Sequence, residues 1–296
     1  MEIKISNISK SFGDNPVLKG INLQTQSGKA LGLLGRNGAG KTTIIRIIMG
    51  LFPQNEGEIL IDGAPIDRSR VKIGYLPEER GLYPKKPIVD QLIYFGLLKG
   101  LNRKQAMQSC DYWLERLQMS CHKKQRLDTL SKGNQQKIQL AAALLADPDI
   151  VILDEPFSGL DPVNASLLKD VVKELIAKNK LVLFSSHQMN YIEEFCEDIA
   201  ILNKGEIVLS GNIEQIKRSY DRSKIIIKSN DAPAIKSFLS ESSVLENGAL
   251  TVHLGSCHDK SEFMTRLVAQ GFDLDEISVY QPSLNDIFVQ YTEDRI

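Results

Sequence analysis

The chain has 296 residues, 42% hydrophobic and 25% charged, enough to bury a sizeable core in about two domains. A formal net charge of -1 gives no reason to expect a nucleic-acid surface, and no apolar run reaches the roughly 18 residues of a membrane span. Four scattered cysteines with no CxxC pair read as reduced cytosolic thiols rather than a disulfide framework.

The N-terminal MEIKISNISK lacks the apolar centre of a signal peptide. Glu2–Ile5 and Val17–Leu23 are expected strands flanking a turn at Gly13–Pro16. Phe12 sits at that turn near Lys10; an aromatic there suits stacking on an adenine ring and equally suits a core, and spacing does not choose. Ala30–Leu34 is a buried-type strand, Gly35–Thr43 a glycine-rich turn, and Thr42–Met49 a helix with Ile44, Ile45, Ile47 and Ile48 on a broad apolar face. Gly35, Gly40, Lys41 and Thr42 match the P-loop pattern between a strand and a helix. Glycines let successive N–H groups converge on phosphate oxygens, and the helix N-terminus favours the same anion. Lys41 then meets the β- and γ-phosphates and the Thr42 hydroxyl ligates Mg2+.

Glu58–Asp62 and Val71–Leu76 are short strands, the second running into the polar loop Pro77–Gly81. Over Pro87–Gln118, apolar residues recur at helical spacing, as in a helical insertion whose wide apolar face suits a core or a partner helix. Leu130–Gln136 opens a further helix running to about Ala146, capped by Ser131; it reads as an ordinary helix start or as a second phosphate-binding N-terminus. Ile150–Leu153 is continuously apolar, as in a strand buried on both faces, and ends in Asp154 and Glu155. At the carboxyl end of such a strand Asp154 faces a metal through water and Glu155 orients an attacking water. Asp161 caps a helix with Pro162 at its first position. Leu181–Ser185 is another buried strand, after which His187 reaches the same sheet edge, a candidate for touching a γ-phosphate.

Ile199–Leu202 and Glu206–Leu209 form an expected hairpin, and Ile213–Tyr220 a short helix. A domain boundary is expected at Asp221–Ser223. Beyond it Lys224–Lys228 and Ala249–Leu254 read as strands, and Ala232–Leu239, Glu262–Gln270 and Pro282–Tyr291 as helices, with no chemical motif. The pairs Cys121–His122 and Cys257–His258 lack partners at a zinc spacing.

Together these residues resemble the nucleotide-binding subunit of an ATP-binding-cassette (ABC) transporter over about Met1–Tyr220. Gly35, Arg36, Asn37, Gly38, Ala39, Gly40, Lys41, Thr42 and Thr43 match Walker A, and Ile150–Glu155 matches Walker B with its catalytic glutamate. Leu130–Asn134 matches the family signature, Ser158–Asp161 the D-loop, His187 the switch histidine, and Phe12 the adenine-stacking aromatic. The tail is similar to the small C-terminal domain of a bacterial branch that includes sodium and multidrug or peptide exporters.

The resemblance implies an α/β P-loop NTPase with a mixed sheet core: a cassette over 1–220, including a helical subdomain over about 85–148, and a small α+β domain over 221–296. It implies ATP and Mg2+, with Thr42, Glu78 and Asp154 toward the metal and catalysis by Glu155 and His187. It also implies a head-to-tail homodimer or heterodimer in which Ser131, Gly133 and Asn134 of one chain meet the ATP of the other. A separate membrane permease would hold the protein on the cytoplasmic face of the membrane, with no nucleic acid as partner. The alternative is a soluble ATPase of the same superfamily acting on ribosomes or DNA. Two departures stand out: the signature carries Lys132 and Asn134 where the family has Gly and Gln, and Glu78 stands where it has glutamine, adding negative charge near the γ-phosphate.

Overall fold

The computed structural model describes residues 1–79, 81–220, 224–239, 242–246, 249–254 and 260–293. Two compact units divide the chain: Met1–Ile213 with Phe288–Ile296, and Glu214–Ile287.

In the first unit β1 (Glu2–Phe12) and β2 (Asn15–Gln26) form an antiparallel hairpin. The first strand continues well past Ile5 because Asn7, at φ 52°, takes up a bulge in its pairing. β3 (Ala30–Gly35) leads through a loop into α1 (Lys41–Ile48). β4 (Glu56–Ile61), β5 (Ala64–Pro65) and β6 (Ile73–Leu76) follow. The helical insertion holds α2 (Ile88–Leu98), α3 (Arg103–Arg116) and α4 (Lys132–Leu144). The break between its first two helices has a local cause: Asn102 and Gln105 make a reciprocal capping box that starts a new helix.

The chain then runs through β7 (Ile150–Asp154), α5 (Pro162–Ala177), β8 (Leu181–Ser185), α6 (Met189–Phe195), β9 (Asp198–Asn203), β10 (Glu206–Asn212) and α7 (Ile213–Ser219). The main sheet has the order β10-β9-β3-β8-β7-β6, parallel except for the β9–β10 hairpin. Every residue of β3, β7 and β8 is buried, as expected of central parallel strands covered on both faces. The smaller antiparallel sheet, β2-β1-β4-β5, shares one core with it through Ile3, Ile5, Ile21, Ile44, Ile48, Ile152 and Leu183. This crossover order brings the carboxyl ends of β3, β6, β7 and β8 to one edge.

The second unit contains α7 beyond its first residue, β11 (Lys224–Lys228), α8 (Ala232–Phe238), β12 (Ser243–Glu246), β13 (Ala249–His253), α9 (Lys260–Ala269), β14 (Glu276–Val279) and the start of α10 (Leu284–Thr292). Its antiparallel sheet, β12-β13-β11-β14, packs Ile225, Ile227, Leu250 and Val252 against Ile235, Phe263 and Leu267. β12 and β14 escape a reading by periodicity because each offers only four residues, two of them apolar. The boundary expected at Asp221–Ser223, and the Cys257–His258 pair, lie outside the described residues. The units differ from a simple division at residue 220: the second begins at Glu214, and the second half of α10 rejoins the first unit. There Asn203 Nδ2, at the end of β9, donates to the Tyr291 carbonyl at 3.1 Å.

Candidate functional site

β3 ends at Gly35 and the loop to α1 passes through Gly40 at φ 112°, where a Cβ would lie 2.7 Å from Leu18 Cδ2. No side chain caps the N-terminus of α1 and no acid sits in its first turn, so its free N–H groups suit an anion. Lys41 Nζ folds back over the loop, donating to the Gly35 carbonyl at 2.5 Å and to that of Arg36 at 3.4 Å. Burial pulls the Lys41 ammonium below the ordinary lysine range, against the opposing pull of the Glu155, Asp154 and Glu78 carboxylates.

β7 delivers Asp154 and Glu155 to the same edge, both buried. Tyr75 on the neighbouring β6 donates its hydroxyl to Asp154 Oδ2 at 3.3 Å. Burial first, then the Asp154 charge, hold that phenol protonated well above its usual range. Glu155 sits at φ 48°, a left-handed conformation uncommon for a side-chain-bearing residue and found at functional sites. Its carboxylate accepts from the His187 backbone N–H at 2.8 Å and from Ser186 Oγ at 3.2 Å, and His187 Nδ1 lies 2.8 Å from Oε1.

These groups line a cleft of about 830 Å³: Gly35–Gly38, Gly40, Lys41, Thr42 and Thr43 on one side, Glu78, Asp154, Glu155 and His187 on the other, with Val17 and Phe288. Ala39 is buried behind the loop. Among the described residues no three His, Cys, Asp or Glu side chains cluster as a self-sufficient metal site. The Thr42 hydroxyl and the carboxylates of Asp154 and Glu78 are a hard oxygen set, which fits Mg2+ completing its shell with phosphate and water.

Residues 18–158 match the ABC transporter family, and residues 211–292 match the C-terminal domain of DrrA1-3-like ATP-binding proteins. The chain is 41% identical to the ABC transporter ATP-binding protein YhaQ of Bacillus subtilis over 293 residues, 97% of each chain. It belongs to the family of ABC transporter ATP-binding proteins. The linearmycin resistance ATP-binding protein LnrL of Bacillus subtilis is 29% identical over 98% of each chain. Among solved structures, an ATP-binding subunit of an ABC transporter matches with a TM-score of 0.67 at 28% identity, covering 74% of this chain and 92% of its own. The cassette MJ0796, a dimer bound to ADP and phosphate, matches at 0.64 and 25% identity, covering 71% and 98%.

The other residues on which the resemblance rests lie elsewhere on the molecule. Ser131 Oγ accepts from the Asn134 N–H at 3.3 Å and caps α4. Gly133 packs so closely on the start of α5 that a Cβ would sit 3.0 Å from Asn164 Nδ2. Asp161 caps α5, accepting from Val163 and Asn164 N–H groups at 3.0 Å. Neither Ser131, Gly133 nor Asn134 lines the cleft of its own chain. Phe12 does not line it either: its ring is half exposed and meets Phe52 edge-on at 5.4 Å, with the Lys10 ammonium over both rings.

Sequence reasoning missed Tyr75, Gln136, Ser186, Gln139 and Phe288. Gln139 is buried in α4 and donates to the Pro77 and Glu79 carbonyls at 3.2 and 2.9 Å, while Gln136 reaches the Pro156 carbonyl at 3.3 Å. Polar residues on the inward face of an apolar helix were the available signal for both glutamines.

Proposed function

We propose that the chain hydrolyses ATP with Mg2+ and drives a separate membrane permease, acting as one half of a head-to-tail pair. The observation that carries this reading is the buried Glu155 carboxylate in one cleft with Lys41 and Thr42. The loop N–H groups and Lys41 bind the β- and γ-phosphates. Thr42 and Asp154, with Glu78 beside them, hold Mg2+. The metal, when bound, neutralises charge developing on the phosphates. Glu155 orients the attacking water, a role worth roughly 10²–10⁴-fold in rate. His187, anchored on Glu155, is within reach of the γ-phosphate side of the cleft.

A second copy, or a paralogue, would bring Ser131 and Gly133 to each ATP, since neither reaches the cleft of its own chain. The capped N-terminus of α4, with Lys132 in its first turn, suits the phosphate of a partner's nucleotide. Permease docking is supported by the groove that Tyr83, Lys86, Asp90, Gln91 and Tyr94 line at the start of α2, beside a helix face that exposes Leu97 and Leu98. No described helix is long and apolar enough to cross a membrane, so the span would come from that permease. Export is the direction favoured by the DrrA-like C-terminal match and by relatives such as LnrL.

The test is an ATPase assay with purified protein, paired with co-purification of Glu155→Gln from solubilised membranes of its host in ATP and Mg2+. Mg2+-dependent phosphate release lost in the variant, and recovery of a multi-span membrane chain in near-equal amount, are the expected results. Recovery with ribosomes or DNA instead would overturn the transport assignment.

A further inference from the structure

Polar side chains and glycines make up most of the cleft lining. Among its lining residues only Val17 and Phe288 carry apolar side chains. The two belong to one neighbourhood, tied together by the Asn203–Gly205 turn. Gly205 N–H donates to the Ala39 carbonyl of the P-loop at 3.2 Å, and the Gly205 carbonyl accepts from Lys19 N–H at 2.8 Å, two residues from Val17. At the other end of the turn Asn203 Nδ2 holds the Tyr291 carbonyl at 3.1 Å, one helical turn beyond Phe288. The helix that presents Phe288 has a defined start, because Ser283 and Asp286 exchange hydrogen bonds at 3.0 and 3.1 Å as a capping box.

If the triphosphate sits against Lys41 and Thr42, Val17 and Phe288 are the apolar lining left for the ribose and base. The half-exposed Phe12 ring lies beside Phe52 outside the lining, and the half-buried Phe288 ring is a second aromatic within it. An aromatic face is the surface on which a purine stacks whatever its hydrogen-bonding edge. We propose that Phe288, from the C-terminal helix of the same chain, is a nucleotide-binding residue that packs on the base or ribose of a bound purine nucleoside triphosphate. The site is then completed by residues more than 240 positions beyond the P-loop in sequence, which runs from Gly35 to Thr43. This inference rests on the ATP-binding reading above.

The test compares ATP with inorganic tripolyphosphate, which has the anion but no base, on the full chain and on Phe288→Leu and Phe288→Tyr. Calorimetry should show ATP affinity falling roughly tenfold in the Leu variant, the scale of losing one base–aromatic stack. Tripolyphosphate affinity should be unchanged, and Tyr should restore ATP binding. Equal losses for both ligands would mean that Phe288 acts only through the fold and would overturn the proposal. Unchanged ATP affinity in Phe288→Leu would overturn it too. Failure of the underlying reading looks different: the unsubstituted chain would bind ATP no better than Lys41→Ala does.

Discussion

His187 holds Glu155 twice through the same oxygen: its backbone N–H and its ring Nδ1 each lie 2.8 Å from Oε1. The two partners are unequally placed, since the histidine side chain is 66% exposed and the glutamate side chain only 6%. The ring can therefore turn away toward a ligand while the carboxylate keeps the backbone N–H and Ser186 Oγ. Glu155→Gln is expected to lower turnover by about 10²–10⁴-fold with ATP binding retained. His187→Ala should lower kcat by removing the ring that can turn to the ligand, with little change in ATP affinity, while the backbone N–H and Ser186 Oγ still orient Glu155. Single-turnover kinetics beside equilibrium binding would separate the two effects.

Asp154 is buried and Tyr75 supplies a hydroxyl to it from the adjacent strand. Tyr75→Phe removes that donor while keeping the ring's packing. A buried carboxylate losing a partner costs about 1–3 kcal/mol. We expect a loss of that order in urea unfolding, with an unchanged m-value, recovered in part by saturating Mg2+ and a non-hydrolysable ATP analogue.

Gly205 has φ 83°, and a Cβ there would stand 2.4 Å from the Val17 carbonyl. Gly205→Ala forces either the turn or the Val17 strand to shift, a strain of about 1–3 kcal/mol. Since the same turn bonds to Ala39, ATP affinity should fall together with stability. Thermal unfolding with and without nucleotide would show both losses.

Lys41 lies below the ordinary lysine range in the free protein because burial outweighs its three acidic neighbours. Phosphate binds the protonated ammonium. Above the depressed pKa the free protein must take up a proton to bind, so ATP affinity should fall as pH rises through it, earlier than for an ordinary lysine. Calorimetry in buffers of different ionisation enthalpy would register that proton uptake on the alkaline side. Lys41→Arg, which stays charged, should not take one up.

Local pattern made much of this molecule legible. The glycine spacing from Gly35 to Gly40, the unbroken apolar run Ile150–Leu153 before two acids, and the Asp161–Pro162 helix start each express a backbone requirement satisfied within a few residues. The P-loop, the acid pair and the capped helices could therefore be read in order along the chain. Only the tertiary structure decided which side chains converge. Tyr75 meets Asp154 across 79 residues, Gln139 reaches back to Pro77 across 62, and Asn203 captures Tyr291 across 88. The same packing occupies Phe12 with Phe52, brings Phe288 to the cleft and leaves Ser131 away from it. The Tyr75–Asp154 pairing follows from the adjacency of β6 and β7 in a crossover strand order, and the others from helices and loops packed against that sheet. Periodicity records which face of an element is apolar, but not which other element will cover it.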